Sequence, residues 1–148
     1  MAHGFDTSFL VAAEVACHPE HQGARARLDE LRKAGEHFAL TPQVLAEFIH
    51  VVTDARRFTK PLAMEAALDR TRAWWNSPEI DRIAPNAEDV RVFIEWMSRH
   101  QLGRKRVLDT LLAATYHNAG IARVLTTNAR DFAAFGCFYC IGPFESSL

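Results

Sequence analysis

Long apolar runs are missing from this chain. The longest, such as Phe9 to Ala13, fall well short of the roughly 20 residues a membrane span needs. Nor does a basic segment followed by an apolar one open the sequence. A soluble, cytoplasmic protein with no membrane partner is the expectation. Cysteine is scarce: three residues, an odd number, make no disulfide framework in a chain of 148 and agree with a reducing compartment. Charge of one sign is missing too. A formal net charge of −1 argues against charge-driven coating of nucleic acid and leaves room only for a local basic patch. Internal repeats, low-complexity tracts and linkers are also lacking, so one domain over residues 1–148 is expected. What the chain does have is core material. Its residues are 49% hydrophobic, with 10 Phe and 3 Trp, enough for one buried core and too much for long disorder.

Periodicity places the elements. The stretch DTSFLVAAEVA enters a helix through Asp6, Thr7 and Ser8, each able to cap backbone N–H groups. Glu20 to Lys33 reads as a surface helix stopped by Gly35, and His37 to Leu40 as a short buried strand. Thr41 and Pro42 then open a strong helix whose stripe is Leu45, Phe48, Ile49 and Val52, flanked by Val44 and Val51; Glu47 stands just beyond that flank. Pro61 to about Trp75 is amphipathic, and Pro78 to Pro85 holds a weak strand. Asn86 caps a helix to about His100 with Val90, Phe93, Ile94 and Met97 inward. In RKRVLDTLLAATYHNAG, residues 104–120, Leu108, Leu111, Leu112, Thr115 and Ala119 form one stripe and Asp109 lies on its flank beside Leu112, Ala113 and Tyr116. Gly120 ends that helix. Ile121 to Thr126 and CFYCIG supply the last strands. Helices alternating with short apolar strands indicate an α/β sandwich with a mostly parallel sheet.

Ligand sites in such sheets form beyond the carboxyl ends of the strands, where strand order reverses. Asp6 follows the first strand, while Asn128 and Asp131 follow the strand ending at Thr126. Glu47 and Asp109 sit on helices that can project toward the same edge. Four carboxylates converging there repel one another unless divalent cations neutralise them, and hard oxygen donors favour Mg²⁺ or Mn²⁺ over zinc. A metal-dependent hydrolase is the expected class. By itself Asp109 reads more simply as a first-turn acid that complements the helix dipole and caps free N–H groups.

The order DTSFLVA, TPQVLAEF, RVLDTLLAATYHNAG, VLTTNARDF resembles the PIN-domain family, and in size and layout its VapC toxins of bacterial toxin–antitoxin pairs. The resemblance covers nearly the whole chain. It implies a three-layer α/β/α sandwich with a short, mostly parallel sheet, and Mg²⁺- or Mn²⁺-dependent endoribonuclease activity on single-stranded or looped RNA. A small antitoxin that blocks the active site, and a homodimer, are implied as well. By motif, Asp6, Glu47 and Asp109 match the family's three acids and Asp131 the acid of its closing motif. Asn128 stands where many relatives carry a further acid, and Ser8 where Asn is commoner. In the implied mechanism Asp6, Asp109 and Asp131 hold the cation, Glu47 binds through water or orients the nucleophile, and Thr7 and Ser8 contact water or substrate. Arg104, Lys105 and Arg106, with Arg56, Arg57 and Lys60 behind them, are the candidate RNA phosphate contacts, a solvated face being the plain alternative. Asn128 and the short, polar first strand with His3 and Gly4 motivate the competing reading, a non-catalytic or weakly catalytic binding module.

Other signals point elsewhere. Cys137 and Cys140 form a C-x-x-C without a second matched pair, and are expected to act as small apolar residues of a buried strand. His50, His100 and His117 are expected at the surface or partly packed. Adjacent Trp74 and Trp75 point in different directions on their helix, so one of them belongs to the core.

Overall fold

The computed structural model describes residues 2–145. Met1 and 146–148, the ends of the expected 1–148 domain, lie outside the described residues. Five strands form one sheet: β1 Ala2–Phe5, β2 His37–Leu40, β3 Ile80–Arg82, β4 Arg123–Leu125 and β5 Tyr139–Ile141. Their order is β3-β2-β1-β4-β5, and every neighbouring pair is parallel. Between them run α1 Thr7–Glu14, α2 His21–Lys33, α3 Pro42–Val52, α4 Met64–Trp75, α5 Ala87–Arg99, a 3₁₀ turn at Arg104–Arg106, α6 Val107–Asn118 and α7 Arg130–Ala133. The chain steps from β1 outward to β3, then crosses back to β4 and β5. Right-handed crossovers therefore put α1 to α4 on one face and α5 to α7 on the other, in line with the packing of α1 on α2 and α3, α3 on α4, and both α5 and α7 on α6. The result is a three-layer α/β/α sandwich.

β1 looks weak in sequence and is the middle strand in space. Gly4 is there because Tyr116 of α6 lies against it: a Cβ would sit 2.7–2.9 Å from three ring atoms. The Tyr116 hydroxyl donates to the Phe5 carbonyl at 2.6 Å and the Ala39 carbonyl at 3.3 Å, pinning α6 across β1 and β2. On the opposite face Phe5 meets Phe38, Phe9 and Trp74 at ring separations of 5.3, 6.1 and 5.2 Å. Trp74 is thus the core member of the tryptophan pair, and its Nε1–H donates to Glu14 at 2.7 Å. His3 is buried, and that burial pushes its ring pKa down.

Two apolar stripes face other ways than their periodicity indicates. α6 buries Leu112, Ala113 and Tyr116, the line on which Asp109 stands, whereas Leu108 is 60% exposed and Ala119 is exposed. In α5 the buried residues are Val92 and Trp96, while Val90 and Ile94 are 46% and 60% exposed and Phe93 and Met97 are half-buried. A helix wedged between a sheet and a second helix has a broad apolar surface, and the wheel alone does not say which part of it meets the sheet. α4 begins at Met64 rather than Pro61, after an extended lead-in. The segment after Thr127, NARDF, runs into the short α7. Among the histidines, His50 and His117 are exposed and His100 is half-buried against Phe135. Cys137 and Cys140 are free and half-buried, with burial pushing both thiols up. Among the described residues no helix is long and apolar enough to cross a membrane.

Candidate active site

The strand order reverses between β1 and β4, and there the Asp6 N–H donates to the Leu125 carbonyl at 2.9 Å. Directly beyond this joint lies a cavity of about 570 Å³ whose wall includes Asp6, Glu47, Asp109 and Asp131. Asp6 arrives from the end of β1, Glu47 from mid-α3 in one layer, Asp109 from the first turn of α6 in the other layer, and Asp131 from α7 after β4. Four acids far apart in the chain thus share one concavity at the switch point of the sheet, where α/β folds place their ligands.

Asp6 does not cap α1 with its side chain, although it occupies the cap position. Its carboxylate is instead held by two hydroxyls, accepting from Thr126 Oγ1 at 2.7 Å and Ser8 Oγ at 2.9 Å. Ser8 Oγ in turn accepts the Thr127 N–H at 3.1 Å. Thr7 Oγ1 donates to Glu47 Oε2 at 3.2 Å. The small hydroxyl residues around the acids therefore aim carboxylates, and Thr126, buried at the end of β4, is a member the sequence did not single out. It is one of two adjacent threonines in VLTTNARDF, and only the strand register assigns it inward.

Burial pushes the Asp6 carboxyl up, opposed by the hydrogen bonds from Thr126 and Ser8 and reinforced by the charge of Asp131. Glu47 is likewise raised by burial, with Thr7 and Arg57 acting the other way. Asp109 is displaced furthest, to about 7, first by burial and then by the charges of Asp6, Asp131 and Glu47. Crowding and burial thus favour the protonated form of these carboxyls, and a cation beside them would favour the ionised form.

The donor set fits a hard divalent cation: all four groups are carboxylates, no imidazole or thiolate competes among them, and their mutual repulsion is what a cation relieves. They ring the cavity without closing on a point. Among the described residues no group of three His, Cys, Asp or Glu has the spacing of a ready-made metal cage.

The remaining predicted residues divide. Asn128 lies exposed on the same wall, and its N–H donates to Thr126 Oγ1 at 2.9 Å. Arg106 turns inward: its guanidinium donates to the Asp131 carbonyl, and its Nε is buried 4.0 Å from Asp131 Oδ1, too far for a hydrogen bond. Arg104 and Lys105 are exposed and do not line the cavity, nor do Arg56 and Lys60. Arg57 does, together with His18, Pro19 and Phe58, which carried no motif in the sequence. The Asp109 side chain serves no capping role that the structure shows: α6 is entered through Arg106 without a side-chain cap.

Comparison with known proteins agrees with this geometry. The family model of the PIN domain matches residues 5–136. The chain is 32% identical over 109 residues to ribonuclease VapC43 of Mycobacterium tuberculosis, covering 74% of each. The solved structure of Mycobacterium tuberculosis VapC20, described as a sarcin-ricin loop cleaving toxin, superposes with a TM-score of 0.69 at 21% identity, over 90% of this chain and 95% of that one. VapBC2 from Rickettsia felis, bound to a promoter DNA fragment, gives 0.67 at 18% identity over 97% and 100%. The two solved structures speak for the fold, the family model and the sequence relative for descent: the chain belongs to the PIN-domain family, in its VapC group.

Proposed function

We propose that this chain is a divalent-cation-dependent endoribonuclease, working as a single domain in the cytoplasm as the toxin of a toxin–antitoxin pair. The observation that carries the reading is the convergence of Asp6, Glu47, Asp109 and Asp131 on one cavity at the switch point. The names of its relatives, ribonucleases and toxins solved with their antitoxins, support the substrate and partner.

Asp6, Asp109 and Asp131 are the residues placed to hold Mg²⁺ or Mn²⁺. Such a cation would supply Lewis-acid polarisation of a phosphodiester and a bound water whose proton is easier to remove than that of bulk water. Thr126 and Ser8 fix the Asp6 carboxylate through its Oδ2, and Thr7 holds Glu47, which orients the attacking water or accepts its proton. Arg106 holds the backbone at Asp131. Arg104 and Lys105, exposed just before α6, contact RNA phosphates farther from the cut. Asn128 brings an amide where an acid would bind a second cation more strongly, which favours one tightly held ion. A homodimer is supported by Val90 and Ile94, one turn apart and exposed on α5, and by exposed Leu108.

The test is cleavage of a single-stranded RNA panel with Mg²⁺ or Mn²⁺ against chelator. Cation-dependent cutting that Asp109→Asn abolishes in a folded protein is expected. Equal cutting by that variant, or persistent intact RNA with the wild-type protein and both cations, would refute the reading in favour of a binding module.

A further inference from the structure

The cavity has two unlike walls. Besides the acids, two loops contribute to its lining, one carrying His18 and Pro19 between α1 and α2, the other carrying Arg57 and Phe58 between α3 and α4. An all-acid cavity repels a polyanion, so a nucleic-acid strand can enter only where cations and apolar faces meet it.

These residues have the groups such a strand requires. Arg57 is 63% exposed, and its ion pair with Asp54 is 3.7 Å long, a weak surface pair that leaves most of its five donors available. Its field reaches the acid wall, since its charge opposes the rise in the Glu47 pKa. His18 Nδ1 accepts the Glu20 N–H at 3.0 Å. A backbone N–H only donates, so the ring accepting it at Nδ1 carries its proton on Nε2 and offers a donor there. Phe58 is half-buried, packed against the core on one side and part of the cavity wall on the other, while Pro19 is exposed. A concavity of about 570 Å³ suits a small-ligand-sized unit. It takes one unstacked nucleotide of a single strand rather than a duplex, and unstacked bases are what aromatic side chains receive.

We infer that His18, Pro19, Arg57 and Phe58 form a substrate-positioning lip for the nucleotide beside the cut, with Arg57 and the His18 Nε2–H on its phosphate and Phe58 with Pro19 under its base. This assignment rests on the endoribonuclease reading for its substrate, but binding tests it without turnover.

The measurement is fluorescence anisotropy of a labelled single-stranded RNA with the Asp6→Asn protein, alone and combined with Arg57→Gln or Phe58→Leu. Arg57→Gln is expected to weaken binding roughly ten-fold and to flatten the slope of log affinity against log salt by about 0.7, the loss of one single-strand phosphate contact. Affinity for Mn²⁺ without RNA, measured on otherwise wild-type protein, does not fall in Arg57→Gln, because removing a cation beside the acids cannot weaken a cation site electrostatically. Phe58→Leu is expected to cost roughly ten-fold with intact RNA. It adds nothing when the seated nucleotide is abasic, a coupling that mere loosening of the fold does not produce. Unchanged affinity and salt slope in Arg57→Gln, or equal losses from Phe58→Leu on intact and abasic strands, overturns the lip. If Asp6→Asn protein binds RNA as described while the wild type cuts none, the lip stands and the nuclease reading fails.

Discussion

Asp6 and Asp89 are both almost wholly buried, at 5% and 1% exposure, and they do opposite things with it. Asp89 closes the amino end of α5. One oxygen accepts the Asn86 N–H at 2.8 Å, the other accepts from Asn118 Nδ2 at 2.9 Å, and Asn86 returns the bond by capping the Asp89 N–H at 3.1 Å. Two of these bonds close the helix's own first turn and the third ties α5 to α6. Asp6 is held as firmly by Thr126 and Ser8, but it fronts a cavity shared with three further acids, one of them raised to about 7. Burial of a carboxylate is thus not by itself a functional sign. What separates the two is whether the neighbours complete the charge or compound it.

Exchanging each acid for a neutral residue separates the two kinds of site. Asp6→Asn should lower RNA cleavage by about 10³-fold or more, equivalent to about 4 kcal/mol of transition-state stabilisation. In metal-free buffer its melting temperature should be equal to or above wild type, because one of four repelling charges is gone. Asp89→Ala should show the reverse: roughly 2–3 kcal/mol lost in chemical denaturation, as a charged hydrogen-bond hub and a helix cap disappear, with cleavage per folded molecule preserved. A result in which both variants lose stability alike would erase the distinction.

A subtler substitution asks how much of the Asp6 behaviour comes from its hydroxyl supports. Thr126→Val keeps shape and removes the 2.7 Å bond, so the Asp6 carboxyl should rise further. The acid limb of the pH–rate profile should move to higher pH, with about a ten-fold drop in rate at pH 7. An unmoved profile would mean that Ser8 alone is enough to aim the group.

The smallest expected effect is in the metal-free pH dependence of stability. The folded Asp109 carboxyl titrates at about 7 against an ordinary 3.8, so the folded state holds the proton more tightly. Its contribution is fully present below about pH 4 and is lost as pH rises toward 7; Asp6 and Glu47, also raised, act in the same direction. The melting temperature should fall by a few degrees across that window, Asp109→Asn should flatten the fall, and Mg²⁺ or Mn²⁺ should reverse it at pH 8. A midpoint that rises over the same window would contradict the charge assignment.

Much of this architecture was legible in the sequence because local signals and tertiary demands agree. Thr41, Pro42, Asn86 and Gly120 mark helix ends where the structure has them, Thr41 and Asn86 with real capping bonds and Gly120 at a φ of 77°. The four acids were visible because motif order survives in one dimension. Residues that depend on packing between distant segments were not. Gly4 looks like a flaw in a strand until Tyr116, more than a hundred residues later, is set against it. Thr126 and Thr127 are indistinguishable until the register of β4 sends one inward. Val90 and Ile94 repeat on α5 as a core stripe would, but Val92 and Trp96 take the inner side because α6 lies there. His18 and Phe58 belong to loops, where no periodicity speaks at all.

The acids sit at positions 6, 47, 109 and 131, one at the joint of β1 and α1 and the others on α3, α6 and α7, from near one end of the described chain to near the other. No fragment that stops short of Asp131 contains the whole set, and no unfolded chain holds it together. The cluster exists only where β4 pairs with β1 and α7 is formed. The order of the chain itself thus makes the complete acid set a property of the whole fold and of no part of it.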